Sequence, residues 1–135
     1  PNYPLYAPCD VELVSSGVGE AVYTSLQHVN FVDGSTDYLT MMLIHDDNQY
    51  TTPRKVLQGQ LLANTGTTGN ITGDHIHMEV KKGSYQGMIE NSFNVWMMKN
   101  SVPPFRILAI DDTMIINNGG YNWKKFTQGL PIWLL

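Results

Sequence analysis

Two histidines two positions apart, His75 and His77, lie in the stretch Thr72-Gly-Asp-His-Ile-His-Met-Glu-Val80 and are the residues of this chain best suited to chemistry. On an extended strand alternate side chains share a face, so His75, His77 and Glu79 fall on one side and Ile76, Met78 and Val80 on the other. Neighbouring neutral imidazoles suit a divalent metal, or a metal ligand beside a general base, because imidazole titrates near neutrality and is a common metal ligand. A strand with a polar solvent face fits the same pattern, and spacing alone leaves both readings open. The loop leading in favours the chemical one. Gly66, Gly69 and Gly73 recur at three- and four-residue intervals, with Ile71 the one large side chain up to Asp74, which permits positive φ and close backbone approach to a ligand.

A third histidine, His45, follows the apolar run Leu39-Thr-Met-Met-Leu-Ile44. Taken alone it reads as a polar strand end beside Asp46 and Asp47. His28 alternates with Val29 and Phe31 in the manner of an outward-facing residue.

Several segments together resemble one family. Leu5-Tyr-Ala-Pro-Cys-Asp10 with Val11 and Leu13, Val56-Leu-Gln-Gly-Gln-Leu-Leu62, Gly66-Thr-Thr-Gly69 and Thr72 to Val80 resemble the lysostaphin-type zinc endopeptidases, which cut peptide bonds in bacterial cell-wall peptidoglycan. Within that family the chain is similar to the peptidase domain at the tail tip of small short-tailed bacteriophages. That similarity reaches Tyr85-Gln-Gly87 and the segment from Ile115-Ile-Asn117 through Gly120-Tyr-Asn-Trp-Lys124.

The resemblance implies a mainly β fold, with antiparallel sheets of the lysostaphin-type peptidase (duplicated hybrid motif-like) kind and at most one short helix. Its implied cofactor is zinc. Carried onto this chain, it makes His77 a zinc ligand, His75 the base that activates water and His45 the donor to the oxyanion. Gly66, Gly69, Gly73 and Asp74 then shape the loop at the site, and Glu79 is an acceptor that orients an imidazole. The chemistry is coherent: zinc with an open position lowers the pKa of bound water towards about 7 and polarises a carbonyl, while nearby imidazoles move protons and hold negative charge. The implied setting is the virion, at the tail tip. The implied partners are bacterial peptidoglycan, other phage tail proteins and further copies of the same chain.

The sequence departs from the family at one point. Two more zinc ligands, a histidine and an aspartate, are expected before the Ala-Pro segment, yet only six residues precede Ala7 and no histidine precedes His28. The expectation is that this motif lies outside the chain. An inactive structural or wall-binding tail module is the alternative. A sugar-phosphocarrier domain, which also pairs two histidines near a sheet, is a third reading, and the Gly-Thr-Thr-Gly loop and His-Ile-His spacing fit it less well.

Composition bounds these readings. A chain of 135 residues with 42% hydrophobic and 15% charged residues suits one globular domain with a substantial core. Net charge is −4 and the eight basic residues are scattered apart from Lys81-Lys82 and Lys124-Lys125, which argues against a nucleic-acid surface. No apolar run approaches the about 20 residues of a membrane span, and no signal-peptide pattern is present. The single Cys9 excludes an internal disulfide and reads as a small buried hydrophobe.

The elements that must position the histidines follow from turn chemistry. Residues 3–15 read as an edge strand and then a central one, with Gly17-Val-Gly19 as a turn. Asp33-Gly34 marks a hairpin between residues 21–32 and 36–45, a loop covers 46–53, and Gln58-Gly-Gln60 makes a tight turn. Lys81-Lys-Gly83 turns the chain after the histidine strand. Residues 91–100, with Phe93, Trp96 and Met97 at helical spacing, read as the one short helix, and residues 105–117 as a final hairpin. The implied division is a peptidase-like β domain over residues 1–102 and an assembly or docking extension over 103–135.

Overall fold

The computed structural model describes residues 4–44, 46, 48–64, 77–90, 96–102, 107 and 108. Its strands are β1 (Pro4–Tyr6), β2 (Val11–Gly17), β3 (Glu20–Ser25), β4 (Val29–Asn30), β5 (Thr36–Asp37), β6 (Leu39–Ile44), β7 (Lys55–Val56), β8 (Leu61–Asn64), β9 (His77–Lys82), β10 (Met88–Glu90) and β11 (Trp96–Met98). Five of them form the main antiparallel sheet in the order β7-β2-β3-β6-β9. β1 pairs with β8, β4 with β5 and β10 with β11, each antiparallel. The mainly β architecture expected from the sequence is therefore present, with no helix among the described residues, and so none long and apolar enough to cross a membrane.

Three of the turn signals are realised where they were read. Gly19, Gly34 and Gly59 all take positive φ. At the Asp33-Gly34 turn, the Phe31 amide donates to the Ser35 carbonyl at 2.8 Å and the Gly34 amide to the Phe31 carbonyl at 3.0 Å. Strand β2 alternates buried Val11 and Leu13 with exposed Glu12, and a register shift between Leu13 and Ser15 leaves Val14 bulged and 41% exposed.

Strands β3 and β6 are covered on both faces. Tyr23, Leu39, Met41, Leu43 and Val80 join Val11, Leu13, Val29, Phe31 and Leu62 in the principal core. On the opposite face Val22, Met42 and Met98 form a second cluster, with Ile44, Tyr85 and Met88 packed against it. His28 is exposed while Val29 and Phe31 are buried, as its alternation predicted, and its ring lies edge-on to Tyr38 at 4.4 Å between centroids.

Three expectations change. Residues 96–98 are strand, not helix: Met98 pairs with Met88 in the β10-β11 ladder and is fully buried on the second cluster. A short apolar run satisfies either period, and here the sheet face offers Met98 a site that strand geometry fills. Strand β9 continues through Lys81 and Lys82, so the turn begins at Gly83. Of the hairpin expected over 105–117, only Ile107 and Leu108 are among the described residues; they form a turn and a bend where strand was expected. Both are buried in the principal core, and the Ile107 carbonyl accepts the Val32 amide at 3.1 Å, while the rest of that hairpin lies outside the described residues.

Candidate functional site

Strand β9 opens at His77, whose backbone pairs with Ile44 at the end of β6 in a ladder that runs unbroken to Leu39 and Lys82. Met78 and Val80 join the principal core, as the strand alternation requires. Residue 77 thus stands at the end of the sheet, opposite Ile44, the last residue of β6. His45, His75, Gly66, Gly69, Gly73 and Asp74 lie outside the described residues, and residue 77 is fixed by its backbone.

Just beyond β6, the buried carboxylate of Asp46 gathers four donors. Its Oδ1 accepts the Asn48 amide at 2.8 Å and Asn48 Nδ2 at 3.0 Å, closing an Asx turn. Its Oδ2 accepts the Tyr50 hydroxyl at 2.8 Å and the amide of Asn64 at 3.2 Å. Asn64 ends β8, and the glycine-rich loop begins two residues later. One carboxylate therefore fastens the segment after β6 to the segment before that loop. Sequence reasoning treated Asp46 only as a polar neighbour of His45; the Asp-x-Asn spacing was the signal available for its turn.

Arg54 completes this corner. Its guanidinium lies 3.9 Å from the centroid of the Tyr50 ring, donates to the Leu62 and Leu61 carbonyls at 3.0 and 3.2 Å, and hydrogen-bonds the Tyr23 hydroxyl. Burial, then the hydrogen bond and charge of Asp46, hold the Tyr50 phenol above the ordinary tyrosine value. Burial also raises Tyr23, against the opposing influence of Arg54. Both rings serve as neutral donors or packing groups near neutral pH.

The β9 face opposite the core, expected to be the chemical one, is partly closed by the segment that follows. Glu79 Oε1 accepts the Met98 amide at 2.7 Å. Lys81 is 2% exposed, and its Nζ donates to the Ser84 carbonyl at 2.5 Å and to Gln86 Oε1 at 2.9 Å. Burial lowers its pKa, with Asp37 acting in the opposite sense.

As for metal donors, no group of three or more His, Cys, Asp or Glu side chains comes together among the described residues. Cys9 is buried and its thiol is pushed up to about 12, so it remains protonated and a poor ligand. Asp10 Oδ1 accepts the Gln58 amide at 2.8 Å and has a structural role at that turn. Position 77 is the implied zinc-ligand position that the described backbone fixes.

No family model matches the chain. It is 34% identical over 127 residues, 91% of its length, to Morphogenesis protein 1 of Bacillus phage B103. The chain is thus similar to part of a phage morphogenesis protein. It spans 34% of the length of that phage relative, so the match concerns one part of a longer protein.

Proposed function

We propose that this chain is the zinc-endopeptidase part of a phage tail-tip protein that cuts the peptide cross-links of bacterial peptidoglycan during genome delivery. The observation that carries the reading is the convergence of flanks. Ile44 and His77 are ladder partners, and Asp46 bonds Asn64, so the described residues nearest positions 45, 66 and 75 are joined pairwise around the end of β6. The His-x-His and glycine-loop pattern supplies the chemistry, and the phage relative supplies the setting.

In this reading the sheets are those of the lysostaphin-type fold, and His77 is a ligand of the catalytic zinc. His75 takes the proton from the attacking water, and His45 donates to the oxyanion. Zinc, when bound, polarises the scissile carbonyl and acidifies water. Gly66, Gly69, Gly73 and Asp74 shape the wall of the site, and Glu79 supports an imidazole. Within residues 103–135, the part after the core residues Ile107 and Leu108 serves assembly with other tail proteins or further copies of the chain. A second reading, a structural module of the particle without hydrolytic activity, is favoured by the relative's name, which describes building rather than cutting.

Purified full-length protein separates the two. The expected result is zinc bound at one equivalent, release of new amino groups from peptidoglycan, and loss of about a hundredfold or more in kcat/KM on His77→Ala. A parent protein that cuts no peptidoglycan at full zinc loading leaves the structural reading standing, and an unimpaired His77→Ala removes residue 77 from the site.

A further inference from the structure

The described hydrogen bonds do more at Asp46 than close a turn. Its carboxylate is 4% exposed and receives donors from three directions: the Asn48 amide and side chain, the Tyr50 hydroxyl and the Asn64 amide. Buried carboxylates are costly unless their oxygens are satisfied, and a satisfied one is correspondingly rigid. Tyr50 is in turn braced by Arg54, which also bonds the Leu61 and Leu62 carbonyls of β8. Both ends of the connection are thus tied to the same strand, once through Asn64 and once through Arg54.

We infer that Asp46 is a positioning residue, which sets the separation between the end of β6 and the end of β8 at Asn64. The inference rests on the proposed peptidase only for its catalytic consequence. The bond to Asn64 spans 18 positions of sequence and joins the two segments directly, so no other residue need transmit the constraint. Catalytic geometry is sensitive to such constraints: a displacement of about 1 Å costs on the order of a hundredfold in rate.

Two measurements on the full-length protein test this. Amide hydrogen exchange compares the parent with Asp46→Ala and the more conservative Asp46→Asn. The expected result is exchange about tenfold or more faster at Asn64 in Asp46→Ala, an intermediate change in Asp46→Asn, and unaltered protection at Met42 and Val80 in the main sheet. Unchanged protection at Asn64, or equal acceleration throughout the sheet, overturns the inference whether or not the protein cuts peptidoglycan. With an active parent, Asp46→Ala is expected to lower kcat about tenfold to a hundredfold while KM and zinc content stay within about twofold, with partial recovery in Asp46→Asn. An unchanged kcat, or a loss that merely follows the folded fraction, also overturns it. An inactive parent counts against the peptidase reading, and the exchange result then decides the role of Asp46.

Discussion

The Met98 amide donates to Glu79 Oε1 at 2.7 Å, so a carboxylate on β9 holds β11 against the second face of the sheet. Met98 is fully buried there against Val22 and Met42. Glu79→Ala removes this acceptor from a buried amide, and the expected loss of stability is about 1–3 kcal/mol. Glu79→Gln keeps a carbonyl oxygen and should lose less. Urea unfolding of the two variants checks the order; equal stabilities would show that the bond contributes nothing.

The tyrosine corner gives a pH prediction. Tyr50 and Tyr23 have folded pKa values above the ordinary 10.0, chiefly through burial. Above that pH the unfolded chain loses protons that the folded protein retains, so stability falls as pH rises. Below about 10 the contribution is fully present. Tyr50→Phe should therefore lessen the decline in unfolding free energy between about pH 9 and about pH 11. Parallel declines in parent and variant would remove Tyr50 from the explanation.

Ile107 and Leu108 tie the later chain to the principal core. Ile107→Ala should cost about 2–5 kcal/mol and do so in the same cooperative transition as the sheet. A separate, earlier transition would mean that this segment packs independently. A deletion meant to probe assembly alone should accordingly begin after Leu108, since removal of the whole 103–135 extension also removes core.

Gly59 offers a cleaner backbone test. Its φ is +82°, its amide donates to the Ala7 carbonyl at 2.9 Å, and a Cβ there would meet nothing within 4 Å. Gly59→Ala should cost about 1–2 kcal/mol from conformation alone. Thermal unfolding checks this, and a much larger loss would point to a steric conflict at the turn.

The sequence by itself determined the β character, because alternation and glycine turns act over neighbouring residues. Val11 and Leu13 against Glu12, the Asp33-Gly34 hairpin, the Gly59 turn and the buried Cys9 were all legible for that reason. The alternation of β9 was legible too, with Met78 and Val80 inward, and so was the His-x-His spacing.

Only the tertiary structure decided what covers the other face of β9. The helical spacing around Trp96 carried no information about a sheet 14 or more residues away, so Met98 became strand where Met42 and Val22 offered it a buried site. Nor could local pattern reveal that Lys81 is buried or that Asp46 reaches Asn64, since both depend on which strands become neighbours. Strand pairing joins residues far apart in the chain, and its choice is set by the burial it achieves as a whole rather than by any one segment.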